Sequence, residues 1–200
     1  VRAAWGDHDI RLVLDPYTVA DNPNYEWQSP RGTGGCIECH SESIIPQWEG
    51  NFHSKAATNE LVRTMYSGTD ALGNPESTYG YRIDFPYTPG NCATCHAPAA
   101  AANNPYSKFL DKVTGVEALG VSCDVCHKIY DTKIPAPDMP GVLSIEFRRP
   151  KLSGRGIFFG PFDDILGRDD SFLPLQKKSE FCAPCHTHQS WGTPIYQSFP

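Results

Sequence analysis

The sequence predicts a mainly irregular and α-helical fold, with short helices, long loops and at most a small β-hairpin. Of its 200 residues, 17 are glycine and 18 are proline, and both residue types interrupt regular elements. Hydrophobic residues make up 40% of the chain, which is little for a polypeptide core of this length. The composition therefore suggests that a group other than the polypeptide fills part of the core.

The charge and the hydropathy of the chain argue against two classes of partner. The formal net charge is −6, whereas domains that bind nucleic acids are usually basic, so no nucleic-acid partner is expected. No run approaches the roughly 18 consecutive apolar residues of a membrane-spanning helix, so no membrane span is expected either. A mildly acidic, loop-rich protein remains.

All eight cysteines lie in four copies of the pattern Cys-x-x-Cys-His, which is the attachment signature of c-type haem. In this chemistry the two thiols bond to the two vinyl groups on one edge of the porphyrin, and the adjacent histidine reaches the iron from one face. The cysteines are Cys36, Cys39, Cys92, Cys95, Cys123, Cys126, Cys182 and Cys185, and the histidines that follow the pairs are His40, His96, His127 and His186. We therefore expect four covalently bound haem c groups, each with one of these histidines as its proximal iron ligand.

Other uses of paired cysteines fit the spacing poorly. The first cysteines of successive pairs are 56, 31 and 59 residues apart, whereas zinc ribbons usually place their two pairs about 15–20 residues apart. Zinc also gives no reason for a histidine directly after every pair. A disulfide scaffold would not repeat one local pattern, and a thioredoxin-like site needs only one pair.

Four haems in 200 residues would supply much of the missing core, because each porphyrin brings a large apolar surface. The expected fold is thus a compact tetrahaem c-type cytochrome whose core is formed by the haems. Residues 1–200 are expected to form one domain. Within it, residues 1–35 form an N-terminal arm that could contact a partner or a neighbouring copy.

Helices are expected chiefly after the first motif. Pro46 suits a first helical turn, and a helix is expected over residues 47–57. A second helix covers residues 59–66 and stops at Gly68. Shorter elements are expected elsewhere: a strand at 10–14, helices at 99–102 and 106–114, loops at 68–91 and 131–141, and a hairpin that pairs 142–148 with 156–162.

A local basic cluster stands out in this acidic chain. It consists of Arg148, Arg149, Lys151 and Arg155. One interpretation is a solvated hairpin. The other is a set of cations that pair with haem propionates or dock an acidic redox partner, because a guanidinium matches carboxylate geometry.

The second axial ligand of each iron is the main open question. Three histidines remain after the motifs, namely His8, His53 and His188, and three cannot serve four irons. Met65 or Met139 could bind the fourth iron and would raise its potential. Alternatively, a histidine could come from a partner or a neighbouring copy, or the site could be open.

His53 is the best candidate for a distal ligand. It lies on the helix predicted after the first motif, close to Trp48, whose ring can pack on a porphyrin. His188 lies two residues after His186, so it is expected at a neighbouring haem rather than at the same iron. His8 lies in the N-terminal arm and could cap a haem of its own chain or of another.

The first motif and the run that follows it, Pro46-Gln47-Trp48-Glu49-Gly50-Asn51-Phe52-His53-Ser54-Lys55-Ala56, resemble the tetrahaem and hydroxylamine-oxidoreductase-related multihaem cytochromes. The segments 120–127 and 181–186 resemble later haem motifs of the same family. The resemblance implies closely packed haems, electron transfer outside the cytoplasm and a haem that lacks a side-chain distal ligand. It also implies distal ligation by His53. The chain departs from the family in having no histidine between its third and fourth motifs, so other ligand assignments do not carry over.

These observations favour an electron-transfer protein of periplasmic or extracellular respiration over an enzyme, with redox proteins as partners. Covalent haem attachment takes place outside the cytoplasm, so the chain is expected to be exported, although no signal peptide is visible at its start. One variant is a homopolymer, a haem wire in which His8 or a haem bridges neighbouring copies.

Two alternatives stay open. The first is an oxidoreductase that acts on a small nitrogen or sulfur compound at a five-coordinate haem, since one distal histidine is missing. The second is a fragment or subunit of a larger multihaem complex that supplies the missing ligand.

The reduction potentials of the haems are expected to be mostly low, because histidine would occupy most of the axial positions.

Overall fold

The computed structural model describes residues 17–32, 35–38, 40, 43–70, 72–75, 79–133, 139–151, 157–163, 170–188 and 196–197. The α-helices of these ranges are all short: α1 Ile44–Gly50, α2 Glu60–Ser67, α3 Tyr81–Asp84, α4 Cys92–His96, α5 Pro98–Ala101, α6 Cys123–Lys128 and α7 Ala183–His186. Single 3₁₀ turns lie at Cys36–Glu38, Leu110–Lys112, Gly115–Ala118, Gly141–Ser144, Pro174–Lys177 and Ser179–Phe181. The expected mixture of short helices and long loops is confirmed.

The β structure consists of two-stranded pairs within the described ranges. The strands are β1 Ile129–Thr132, β2 Ile145–Phe147, β3 Phe158–Gly160, β4 Asp170–Phe172, β5 Thr187–His188 and β6 Tyr196–Gln197. β1 pairs with β2 and β5 with β6 in antiparallel fashion, whereas β3 and β4 run parallel. The described ranges thus contain more pairing of β-strands than the single hairpin expected from the sequence.

The predicted hairpin between residues 142–148 and 156–162 is wrong. Part of the first segment, β2, pairs with β1, which directly follows the third motif. Part of the second, β3, pairs with β4 instead. Alternation within each segment predicted the strands, but the choice of partner depends on tertiary contacts that a local pattern does not contain.

The helix predicted over residues 47–57 ends early. α1 stops at Gly50, and from there the chain runs through turns to Thr58. The Asn51 side chain accepts hydrogen bonds from the N–H groups of His53 at 2.8 Å and Ser54 at 3.4 Å. Such side-chain acceptors compete with the helical pattern, which explains the break.

The second predicted helix is confirmed at both ends. The Asn59 side chain caps α2 by accepting from the N–H of Val62, and Gly68 ends it in the left-handed region with φ of 72°. The helix expected at 99–102 is also present, as α5, but 106–114 contains only a 3₁₀ turn.

In their described parts, the expected loops are mostly irregular and contain short elements. The loop predicted at 68–91 contains α3, and the one at 131–141 begins with the end of β1. The strand predicted at 10–14 lies outside the described residues, as does most of the predicted N-terminal arm. Within the described ranges, no helix has both the length and the apolar character that crossing a bilayer would require.

The polypeptide core is small and rich in alanine. Its main cluster of buried residues packs Tyr66, Leu110 and Val125 against the alanines of α4 and α5. A second cluster joins Ile157, Phe159 and Leu173. Several large apolar side chains outside these clusters are exposed; Phe52, Leu72, Tyr79 and Tyr87 are each more than 80% exposed.

The basic cluster is not a solvated hairpin in its described part. Arg149 is buried, and its guanidinium donates to both carboxylate oxygens of Asp21 at 2.8 and 2.6 Å. Arg148 pairs with Glu146, and Lys151 is exposed. Arg149 therefore holds the N-terminal part of the described chain against the segment after β2.

Candidate haem-binding site

Each of the four motifs forms about one helical turn. The second and third motifs lie entirely inside α4 and α6. In the first, the N–H of His40 donates to the carbonyl of Cys36 at 2.8 Å, and in the fourth, His186 donates to Cys182 at 3.1 Å. Because residues i and i+4 share one face of a helix, each first cysteine and its histidine lie on the same side of the turn. This is the arrangement that one haem edge and its iron require.

Two of the motif histidines are oriented by backbone carbonyls. His96 Nδ1 lies 3.1 Å from the carbonyl oxygen of Ala56, and His127 Nδ1 lies 2.6 Å from that of Phe159. A proton on Nδ1 in these hydrogen bonds leaves the lone pair of Nε2 for a metal, and the bond increases the basicity of the ligand. Burial also lowers the pKa of His127, which favours the neutral ring that binds metals.

A cavity of about 460 Å³ brings three of the motifs together. Its walls include His96 of the second motif, Cys126 of the third and His186 of the fourth, together with His53 and Phe181. The volume lies within the range of about 300–1,000 Å³ that is usual for small-molecule and cofactor sites. Its attachment cysteines, histidines and apolar walls fit haem c.

His53 and His186 approach each other across this cavity. Their ring centroids are 6.1 Å apart, with an angle of 69° between the ring planes. Metal–imidazole bonds of about 2.0–2.1 Å would place two imidazoles on opposite sides of one metal with ring centres roughly 6 Å apart. The separation therefore suits a pair of axial ligands.

The backbone of His53 is held against the segment that precedes the third motif. Its carbonyl accepts from the N–H of Val121 at 2.9 Å, and the indole N–H of Trp48 donates to the carbonyl of Val121 at 2.9 Å. Gly120 has a φ of 66°, and a Cβ there would lie 2.2 Å from the His53 oxygen. The close approach requires glycine, so this contact fixes where His53 lies.

Cysteine thiols of different motifs interact with one another. Cys36 hydrogen-bonds to Cys123, a contact that lowers the pKa of Cys36 to about 7 and raises that of Cys123. Cys95 likewise contacts Cys185. The first motif is thus beside the third, and the second beside the fourth.

The two pairs of motifs are themselves adjacent. Cys126 of the third motif lies close enough to Cys182 of the fourth for their charges to interact. The third motif is thus beside both the first and the fourth, and the fourth is also beside the second.

The remaining candidate ligands are placed unequally. Both methionines are exposed to a similar degree; Met65 lines the cavity, whereas Met139 is not among the lining residues. His8 and Cys39 lie outside the described residues, and only the backbone of His188 is described, in β5. Of the candidate distal ligands, the structure thus places His53 and Met65 at the cavity.

Sequence reasoning missed two charged residues of the third motif. Asp124 lies between its two cysteines, Lys128 follows His127, and both side chains are completely buried as an ion pair. Charged residues are almost never fully buried unless they are paired. Their spacing of four residues on one helix was the only signal in the sequence.

Comparison with known proteins gives one family match. Residues 35–128 match the family described as cytochrome c554 and c-prime. No curated protein matches the chain. Among solved structures, the chain is similar to a penta-haem cytochrome c552 from Thermochromatium tepidum, with 19% identity and a TM-score of 0.43 over 76% of this chain. The match covers 44% of that protein, so the chain spans less than half of its length. The four motifs and the family match support a multihaem c-type cytochrome, with haem c as the bound cofactor.

Proposed function

We propose that this protein is an electron carrier that passes electrons through four covalently bound haem c groups, in the periplasm or outside the cell. The observation that carries the proposal is the proximity of the motifs: residues of the second, third and fourth line one cavity, and Cys36 of the first interacts with Cys123 of the third. Haems attached at such motifs would be neighbours. A continuous series of neighbouring redox centres is what electron transfer across a protein needs.

The residues of the chain divide the work of holding the haems. The eight motif cysteines would form the thioether bonds, and His40, His96, His127 and His186 would bind the irons on the proximal side. We assign His53 to the distal side of the iron that His186 binds, on the basis of the ring separation. His8 and His188 are the candidates for two other irons.

Haem iron supplies one-electron chemistry by alternating between its ferric and ferrous states. The chain contributes position and environment. The carbonyls of Ala56 and Phe159 orient the rings of His96 and His127, and the cavity offers mostly apolar walls to a porphyrin. Histidine at most axial positions favours low potentials.

The first test is haem content and redox behaviour. The chain is produced together with a cytochrome c maturation system, and its intact mass and its electrochemical titration are measured. Four added haems that titrate reversibly, mostly at low potential, are expected. Fewer than four haems in the wild-type chain, or four haems with potentials all above about +200 mV, would contradict the proposal.

The alternative function is an oxidoreductase that acts on a small nitrogen or sulfur compound. One observation favours it: the chain has seven histidines, whereas four irons have eight axial positions, so one iron can stay open. Carbon monoxide binding to the ferrous protein, a high-spin ferric signal and turnover of nitrite or hydroxylamine would support it. A wholly low-spin protein that binds none of these ligands would eliminate it.

The missing histidine could also come from another molecule. In a homopolymer, His8 would bind a haem of the neighbouring copy, and in a larger complex a partner would supply the ligand. Size-exclusion chromatography and electron microscopy of the wild type and the His8→Ala variant separate these cases. Filaments that His8→Ala abolishes would support the polymer, whereas a monodisperse monomer would remove it.

A further inference from the structure

A buried ion pair lies at the third motif: Asp124 stands between its two cysteines, and Lys128 directly follows its histidine. Asp124 Oδ1 and Lys128 Nζ are 3.2 Å apart, and neither side chain is accessible to solvent. Both lie on α6, the helix that carries Cys123 and His127. Burial of two charges costs several kcal/mol per ion, which their mutual attraction often fails to recover. A buried pair at this position therefore calls for a role other than stability.

Hydrogen bonds from other parts of the chain stabilise the negative charge of the pair. The Asp124 carboxylate accepts from the hydroxyl of Tyr25 at 3.0 and 3.2 Å and from the N–H of Gln28 at 2.8 Å. These donors come from the N-terminal part of the described chain, nearly 100 residues away in sequence. They hold the carboxylate in place independently of Lys128.

The positive charge is supported by aromatic rings. Lys128 Nζ lies 3.4 Å from the centroid of the Phe158 ring and 5.6 Å from that of Tyr25. An ammonium over an aromatic face is stabilised by the ring, most of all where water is excluded. Phe158 belongs to β3, and the next carbonyl of that strand orients His127. Strand β3 thus contacts both the Lys128 ammonium and the ring of His127.

We propose that Asp124 and Lys128 tune the reduction potential of the haem attached at Cys123 and Cys126. The inference rests on the proposed function, because it presupposes a haem at the third motif. Ferric haem carries one more positive charge than ferrous haem. A nearby carboxylate therefore favours the ferric state and lowers the potential, whereas a nearby ammonium raises it, and the effect is large in a low-dielectric interior. The pair holds the potential between the values that either charge would impose alone.

The test is a redox titration of the haem-loaded protein and three variants, with each haem followed by its absorbance and with haem content measured by intact mass. Lys128→Met leaves the carboxylate and its two other donors, and one haem should become harder to reduce. Asp124→Asn leaves the ammonium, and the same haem should become easier to reduce. Each shift should be about tenfold in the reduction equilibrium, which is about 59 mV for one electron. The double variant should return close to the wild-type value.

The exposed pair of Arg31 and Glu49 provides the matched control. Its side chains are 53% and 38% exposed, so Arg31→Met and Glu49→Gln should leave all four potentials unchanged. If a single variant of the buried pair yields no haem-loaded protein, the redox titration of the Tyr25→Phe variant tests the inference instead. It removes one hydrogen bond from the carboxylate but keeps the charge, so the potential should fall.

Opposite shifts are the result that a merely structural pair would not give. If both single variants shift the haem in the same direction, or if neither shifts it, the inference is wrong even though the haems are present. If Tyr25→Phe leaves or raises the potential, the inference is likewise wrong. A wild-type chain without haem at the third motif would instead overturn the proposed function.

Discussion

His53 is the residue whose placement leads most directly to an experiment. Its ring lies 6.1 Å from that of His186, a separation that suits two ligands of one iron. We expect His53→Ala to convert one of four haems from low-spin to high-spin, because that iron loses its distal ligand. We expect His53→Met to keep that haem low-spin and to raise its potential. Electron paramagnetic resonance and redox titration measure the two effects.

The neighbouring Phe52 supplies the control for these variants. It is 82% exposed, and Phe52→Ala should leave all four spin states unchanged. Retention of the complete low-spin spectrum in His53→Ala would show that His53 does not bind the iron.

Gln176 is the second residue with a measurable effect. Its side-chain amide donates to the carbonyl of Phe159 at 2.8 Å, the same carbonyl that His127 Nδ1 approaches to 2.6 Å. Gln176→Leu removes the competing donor, so the histidine should bond more strongly and become a more basic ligand. We expect the potential of the third-motif haem to fall by roughly 20 mV, the equivalent of about 0.5 kcal/mol for one electron.

Spectroelectrochemistry resolves a shift of this size when the variant is compared with Gln47→Leu, a change at an exposed glutamine. A potential that rises in Gln176→Leu would contradict the assignment.

At the scale of elements, Gly120 joins the turn that carries His53 to the helix of the third motif. An alanine there would adopt a positive φ, which costs roughly 1–2 kcal/mol, and would also press on the His53 carbonyl. Gly115 is the matched control, because its φ is 63° but nothing lies within 4 Å of its Cβ position. We expect Gly115→Ala to lower the free energy of unfolding by the strain alone. Gly120→Ala should lower it further and should also perturb the haem that His53 binds.

Chemical denaturation and the low-spin spectrum give the two readouts. Equal losses of stability in both variants, with an unchanged spectrum, would show that the contact with His53 is unimportant.

How much the sequence predicts depends on how local each element is. The helix α2 is specified within about ten residues by its caps Asn59 and Gly68, and its prediction is confirmed. The Cys-x-x-Cys-His motifs are equally local, and their role in haem attachment stays a prediction. β3 pairs in parallel with β4, the strand that follows it, rather than with β2 before it, and local alternation does not distinguish these two partners.

The site divides in the same way. The cysteines and histidines of the site can be identified from the sequence, but the groups that hydrogen-bond to the histidine rings cannot. The acceptors at Ala56 and Phe159 are backbone carbonyls, which every residue has, and only the fold selects them. The depth of Asp124 and Lys128 is also a property of the fold, since the same spacing on a surface helix would be an ordinary solvated pair.

At the scale of the whole molecule, the composition predicts that the chain depends on its haems to fold. The main buried cluster contains many alanines, and large aromatic side chains lie outside it. A chain in which all eight motif cysteines are replaced by alanine should therefore remain largely unfolded. Circular dichroism and limited proteolysis measure this, with the haem-loaded wild type as the reference. A cooperative, protease-resistant chain without haem would contradict the expectation.

The contacts between thiols of different motifs have a consequence for biogenesis. Cys36 touches Cys123, and Cys95 touches Cys185, so these sulfurs are neighbours only once the chain has folded. In an oxidising compartment, a chain that folded before it received its haems would hold two pairs of thiols ready to oxidise to disulfides. Such crosslinks would consume one cysteine from every motif and block all four attachment sites. For the proposed four-haem protein, we therefore expect haem attachment to precede collapse of the chain.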